Sequence, residues 1–85
     1  MLIGLFPYIG QMTLAHAQVL FGKTLRKLRL RRKISSQEKL AELADLHINF
    51  ISRAERGKVD VSLSTIIKLS RALRVPIPTL LKGIH

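Results

Sequence analysis

The sequence predicts an all-α domain built from five helices. Apolar residues recur at spacings of three and four along successive stretches, and a hydroxyl residue able to cap a helix precedes three of these stretches. No stretch alternates apolar and polar residues in the way a half-buried strand does. A chain of 85 residues is long enough for one small domain and one core.

The first helix is predicted from about residue 14 to residue 32, with Thr13 as its N-cap. Its apolar face comprises Leu14, Ala17, Phe21, Leu25 and Leu28. Ser35 is expected to cap the second helix, and Glu38 three residues later would complete a capping box. The inner side of this second helix is predicted to carry Leu40, Leu43 and Ala44.

Asp45-Leu46 predicts a tight turn, because Asp is among the residues that tolerate a left-handed backbone. A third helix follows from His47 to about Arg56, with Phe50, Ile51 and Ala54 turned inward, and Gly57 ends it as a C-terminal cap. Ser62 is expected to begin a fourth helix, whose apolar face includes Leu63, Ile66, Leu69 and Leu73. Pro76 and Pro78 end that helix, and the last short helix is predicted from Thr79 to Lys82.

Charge is distributed unevenly along the chain. Residues 1–22 contain no charged side chain, so the whole net charge of +10 belongs to residues 23–85. Residues 23–33 hold a cluster of seven basic residues with no acidic residue among them: Lys23, Arg26, Lys27, Arg29, Arg31, Arg32 and Lys33. Such a cluster favours a polyanion, above all the phosphate backbone of a nucleic acid. An anionic membrane surface and a merely solvated helix face are the two alternatives.

The first 20 residues form an apolar arm or an extension of the first helix, ahead of a domain at residues 21–85. Ala15-His16-Ala17 has the form of a signal-peptide cleavage site, but no positive charge precedes it and Pro7 interrupts the apolar run. The broken run is also unsuited to spanning a membrane. Translation could begin at Met12, in which case residues 1–11 are not native.

Residue types argue against catalysis and against metal binding. The chain has no cysteine, five carboxylates and three scattered histidines. It has no Gly-rich phosphate loop and no recognisable nucleophile setting. We therefore expect no enzyme activity, no metal and no cofactor.

Four motifs, in order and at family spacing, resemble the Cro/repressor-type (Xre-like) helix-turn-helix family. They are Ser36-Gln37-Glu38-x-Leu40-Ala41, Ile51-Ser52-Arg53-x-Glu55-Arg56-Gly57, Ser62-Leu63-Ser64-Thr65 and Ala72-Leu73-x-Val75. The segments at residues 43–47 and 59–63 further resemble controller proteins of restriction–modification systems. The resemblance implies a five-helix, lambda-repressor-like domain with its helix-turn-helix at helices 2 and 3. It also implies a homodimer that binds a (pseudo)palindromic double-stranded DNA operator and regulates transcription. The absence of cysteine separately favours a cytoplasmic location.

By this resemblance, the third helix reads DNA in the major groove. Base readout is assigned to Ile48, Asn49 and Arg53: the amide of Asn49 can pair with adenine, the guanidinium of Arg53 with guanine, and the methyl groups of Ile48 with a thymine methyl. Phosphate contacts are expected from Gln37, His47, Ser52, Lys27, Arg32, Arg56 and Lys58.

Two structural roles also follow from the resemblance. Glu55 is expected to form an ion pair with an arginine of the first helix, either Arg29 or, because the gap to Gln37 is one residue longer than usual, Arg26. A dimer interface is expected from Val75, Ile77, Leu80, Leu81 and Ile84. The alternative is that Leu80 and Leu81 close the core of the monomer.

Other functions remain compatible with this domain. It could be a phage-type repressor, an antitoxin with a toxin as partner, a regulator that contacts RNA polymerase, or a protein-interaction module using the same fold. A basic domain acting at membranes is a further alternative. Asn49 and Arg53, whose side chains suit base edges, favour DNA over both this domain and the protein-interaction module. A neighbouring gene for an endonuclease, a methyltransferase or a toxin would distinguish the regulatory roles.

Overall fold

The computed structural model describes residues 12–84, which contain five α-helices and no strand. These are α1 (Leu14–Arg31), α2 (Gln37–Ala44), α3 (Ile48–Glu55), α4 (Leu63–Leu73) and α5 (Ile77–Leu80). The all-α prediction and its order of helices are confirmed. Residues 14–20 belong to α1 without a break, and the expectations for residues 1–11 lie outside the described residues.

Two of the predicted N-caps are present and one is shifted. Thr13 accepts a hydrogen bond from the N–H of His16 at 3.0 Å, and Ser62 accepts one from the N–H of Thr65 at 3.2 Å. The cap of α2 is Ser36, which accepts from the N–H of Lys39 at 3.0 Å, so the prediction of Ser35 was wrong.

The shift of this cap comes from the connection between α1 and α2. Lys33 adopts a left-handed backbone with φ 59°, and Ile34 turns into the core with 8% of its surface exposed. The connection between α1 and α2 is therefore one residue longer than the sequence pattern predicts, and α2 begins at Gln37. Glu38 is consequently the second residue of α2, one position too early for a capping box.

The turn between α2 and α3 agrees with its prediction. Asp45 is left-handed with φ 55°, and the N–H of Leu46 reaches back to the carbonyl of Ala41 at 2.9 Å. Gly57, with φ 74°, follows α3 as expected.

The last helix starts at Ile77 and not at Thr79, because Pro76 serves as its N-cap and Pro78 fits the first turn, where no N–H is needed.

The core lies where all five helices meet. Its fully buried side chains are Leu25, Leu40, Ile51, Leu69, Leu73 and Leu80. Three leucines predicted on inward faces are exposed instead: Leu14 by 60%, Leu43 by 51% and Leu63 by 70%. Leu14 and Leu63 stand in the first turns of their helices, beyond the core, and Leu43 lies on the side of α2 away from the buried Ala41 and Ala44.

Two of the five residues predicted for a dimer interface belong to the core of the monomer. Leu80 has no exposed surface and Val75 retains 9%. Since a residue already buried within one chain offers little surface to another, these two are left out of the interface proposed below. Ile77, Leu81 and Ile84 are half-buried and keep surface that a partner could cover.

Candidate DNA interface

The third helix has one buried face and one polar, exposed face. Ile51 and Ala54 are 0% and 1% exposed and pack into the core. His47, Asn49 and Arg53 are exposed. Asn49 and Arg53 are four residues apart, so they lie on the same side of α3, one turn after the other. This helix therefore presents two exposed polar side chains on one side while its opposite side is held by the protein.

His47 is the N-cap of α3. Its Nδ1 accepts a hydrogen bond from the N–H of Asn49 at 3.0 Å. An accepting Nδ1 places the proton of the neutral ring on Nε2, which makes the outer edge of the ring a hydrogen-bond donor. The start of α3 thus combines a donor side chain with the partial positive charge of a helix N-terminus, as a phosphate contact requires.

A buried ion pair ties α3 to α1. Arg29 Nε lies 2.6 Å from Glu55 Oε2 and Arg29 Nη2 lies 3.1 Å from Glu55 Oε1, and the two side chains are only 7% and 3% exposed. Arg29 Nη1 also donates to the carbonyl of Ile34 at 3.0 Å. Arg29, and not Arg26, is therefore the partner of Glu55, because the extra residue of the α1–α2 connection is absorbed at Lys33 and Ile34.

Gln37 joins this ion pair. Its Nε2 donates to Glu55 Oε1 at 3.0 Å, so that one carboxylate binds side chains from both α1 and α2. The family resemblance implies a phosphate contact for Gln37 but gives no sign of its hydrogen bond to Glu55. Its side-chain amide carries a second N–H, so holding Glu55 leaves one donor for an anion. The network fixes the orientation of this amide at the start of α2.

Gly22 sets how closely α1 approaches the end of α3. A Cβ atom on Gly22 would lie 2.4 Å from the carbonyl oxygen of Ala54 and 2.9 Å from that of Glu55, closer than atoms can pack. Sequence reasoning missed this residue. The available signal was a glycine in the interior of an 18-residue helix, a position that costs about 1 kcal/mol and therefore needs a packing reason.

Three other predicted contact residues lie in the second half of α3 or just after it. Ser52 is half-buried, and its carbonyl accepts a hydrogen bond from Arg56 Nε at 3.3 Å, so Arg56 folds along its own helix. Lys58 is exposed just after Gly57. Ile48, assigned to base readout, is half-buried and packs partly against the core, which reduces the surface that it can offer to a thymine methyl.

Lys27 and Arg32 lie away from the exposed polar face of α3. Lys27 is next to Thr79 and Lys82, beside α5. Arg32 Nη2 donates to the carbonyl of Arg74 at 2.9 Å, at the end of α4. The structure does not bring these two side chains together with the polar face of α3.

Across residues 12–84, no group of three His, Asp or Glu side chains is arranged to hold a metal ion. In the same part of the chain, no helix is both long and apolar enough to cross a membrane.

Two short helices across a left-handed turn, the second with a polar face outward, define a helix-turn-helix DNA-binding protein. Residues 25–80 match the helix-turn-helix family, and the chain belongs to it. This confirms the resemblance seen in the sequence motifs.

Three proteins that are similar to this chain are named control or controller proteins. Control protein C.BamHI of Bacillus amyloliquefaciens is 50% identical over 58 residues, 68% of this chain and 72% of that protein. Control protein C.MunI of Mycoplasma sp is 36% identical over 68 residues, 80% of this chain and 92% of that protein. The crystal structure of the restriction-modification controller protein C.AhdI from Aeromonas hydrophila superposes with a TM-score of 0.70 at 43% identity, covering 74% of this chain and 94% of that one.

Proposed function

We propose that this protein controls transcription of a restriction–modification system by binding operator DNA as a homodimer. The observation that carries the proposal is the exposed polar face of α3, held on the buried Arg29–Glu55 pair. Similarity to control proteins over most of their length supports the biological role. Those relatives come from bacteria, whose DNA lies in the cytoplasm, and we place the action of this protein there.

In the proposed complex α3 lies in the major groove. Asn49 pairs with an adenine and Arg53 with a guanine, each contact contributing roughly 1–3 kcal/mol of discrimination against the wrong base. Phosphates on either side are bound by Gln37 and His47 at the starts of α2 and α3. Ser52, Arg56 and Lys58 add further backbone contacts near the end of α3. Ile48 remains a candidate for a thymine methyl.

Lys27 and Arg32 are left out of this DNA contact set. A duplex that follows α3 would pass on the side of α1 that carries Arg29. Lys27 precedes Arg29 by two positions, a rotation of roughly 200° around the helix, so it points to the other side. Arg32 is occupied by its hydrogen bond to Arg74.

The homodimer is proposed to form over an apolar groove. The groove has a volume of about 200 Å³, and its apolar lining includes Leu14, Ala17, Phe21, Val61, Leu81 and Ile84. It contains Leu81 and Ile84, two of the three interface candidates that keep accessible surface; Ile77 lies outside its lining. A two-fold dimer would place two copies of α3 about one DNA turn apart, roughly 34 Å.

The operator proposal is tested by selecting duplexes from a randomised pool at about 150 mM salt, where non-specific contacts are weakened. We expect a palindrome with half-sites near one helical turn apart. A folded protein that enriches no sequence would contradict the proposal, because its basic surface would then be a generic one. Placing the enriched palindrome upstream of a reporter, with and without the protein, tests transcriptional control.

The dimer proposal is tested by introducing a charge into the groove. We expect Leu81→Glu to shift the protein from dimer to monomer in sedimentation equilibrium. Leu63→Glu is the matched control, since Leu63 is 70% exposed and lies outside the groove lining. Dimerisation that survives Leu81→Glu and fails in Leu63→Glu would place the interface elsewhere.

A further inference from the structure

A second charged surface runs along the C-terminal half of α1, against the ends of α4 and α5. Three neighbouring cavities share Arg31 in their linings, and we treat them as one surface. We name it the basic trough, and its cationic lining residues are Lys27, Arg31, Arg32, Lys33, Arg74 and Lys82. Among the described residues that line it there is no carboxylate.

The floor of the basic trough presents one accessible apolar side chain. The largest of the three cavities has a volume of about 430 Å³ and is lined by Leu43 together with Ile34 and Leu73, of which Ile34 is 8% exposed and Leu73 is fully buried. Leu43 is 51% exposed, although it lies within a folded helix. Leu28 and Val75 continue the apolar lining toward α5. A cationic rim around an apolar floor is the arrangement expected where a partner with both acidic and apolar groups docks.

The basic trough lies apart from the proposed DNA face. Lys27 and Arg31 are each two positions from Arg29, a rotation of roughly 200° in either direction, so they project from the side of α1 opposite the Glu55 pair. The hydrogen bond from Arg32 to the carbonyl of Arg74, 2.9 Å long, holds one wall of the trough across to α4.

We propose that the basic trough docks an acidic segment of a protein partner, with an apolar side chain of that segment seated over Leu43. Charge complementarity supplies the acidic part of this assignment, since six cations and no anion line the trough. The apolar floor decides between a protein and a second stretch of DNA. A phosphate–sugar backbone offers Leu43 only the C–H edges of its deoxyribose rings, whereas a peptide can place a whole apolar side chain over Leu43 and acidic side chains beside it.

The probe for this proposal is a short synthetic peptide of glutamates around a single phenylalanine, labelled for fluorescence anisotropy. Arg31→Glu and Arg74→Glu reverse the charge of the trough. Lys23→Glu is the matched control, being an exposed cation of the same helix outside the trough lining. Circular dichroism melting verifies that each variant is folded. We expect Arg31→Glu to bind the peptide several-fold more weakly, and the double variant Arg31→Glu/Arg74→Glu on the order of tenfold more weakly. Lys23→Glu, which changes the net charge as much as Arg31→Glu does, should bind nearly as the parent does.

Two further comparisons test the floor and exclude DNA. Leu43→Ser should weaken binding of the phenylalanine peptide. A control peptide in which serine replaces the phenylalanine should bind Leu43→Ser and the parent protein equally well. Operator affinity should stay within about twofold for Arg31→Glu.

Equal loss of peptide binding in Lys23→Glu and in Arg31→Glu would overturn the proposal in favour of generic charge attraction. Weaker binding of every duplex by Arg31→Glu, with a shallower salt dependence absent from Lys23→Glu, would overturn it in favour of a DNA backbone contact. Neither outcome bears on the roles of Asn49 and Arg53, so this proposal can fail while the operator-binding function stands.

Discussion

The two faces of α3 are built on opposite physical principles. On the inner face Ala54 approaches α1 so closely that only glycine fits at Gly22, and Glu55 is held by three hydrogen bonds. On the outer face the side chains of Asn49 and Arg53 make no hydrogen bond within residues 12–84. The inner face fixes where the helix lies, and the outer face is left to react to a partner. Substitutions on the two faces should therefore differ in kind as well as in size.

The largest effect is expected on the inner face, from removal of Glu55. Glu55→Ala leaves the guanidinium of Arg29 buried without its carboxylate, which costs about 3–5 kcal/mol of unfolding free energy. Urea denaturation measures this loss, and Glu42→Ala, an exposed carboxylate of α2, is the control. A loss under about 1 kcal/mol would mean that the pair does not anchor α3.

Gly22→Ala tests the close approach of α1 and α3. An alanine inside a helix normally stabilises it by about 0.5–1 kcal/mol relative to glycine. Here the added methyl would collide with the carbonyls of Ala54 and Glu55, and we expect a net loss of roughly 1–3 kcal/mol by thermal or urea unfolding. The sign of the change is diagnostic, since stabilisation would show that the helices can separate at no cost.

Arg53→Ala tests the outer face. Unfolding free energy should change by less than about 0.5 kcal/mol, because the side chain is exposed. Discrimination at one base pair of the operator should fall by roughly 1–3 kcal/mol, measured by competition among single-base variants of the operator. If the Arg53→Ala protein ranks the operator variants in the same order as the parent protein, Arg53 does not read a base.

The smallest effect is expected at the turn that joins α2 and α3. Asp45 holds a left-handed backbone with φ 55°, which glycine adopts without strain. Asp45→Gly should raise the unfolding free energy by less than about 1 kcal/mol, whereas Asp45→Ala should lower it. The exposed pair with Lys68, 3.9 Å long, is lost in both variants and cancels in the comparison. Equal effects from glycine and alanine would show that backbone strain is not the cause.

Local signals in the sequence predicted the fold well. Thr13 and Ser62 act as caps and Asp45 takes the left-handed conformation, because each depends on a few neighbouring residues. The cap of α2 moved by one position for a reason that is not local. Ile34 is drawn into the core, and neither its burial nor the conformation of Lys33 can be read from the spacing of Ser and Glu.

The candidate site was predictable only in part. Family motifs pointed to Arg29 and Glu55, but the link from Gln37 to Glu55 and the contact of Gly22 with Ala54 depend on how whole helices pack. Val75 and Leu80 show the same limit, because an apolar tail residue can face a partner or its own core. The assignments of Asn49 and Arg53 to bases stay predictions.

The carboxylate of Glu55 has a kinetic consequence. Because it holds both the amide of Gln37 and the end of α3, the group proposed for the DNA backbone and the helix proposed for the bases are set relative to each other before any duplex arrives. No rearrangement of this part of the protein would then delay association. Operators that differ by a base pair should be captured at similar rates and differ chiefly in how long the complex survives.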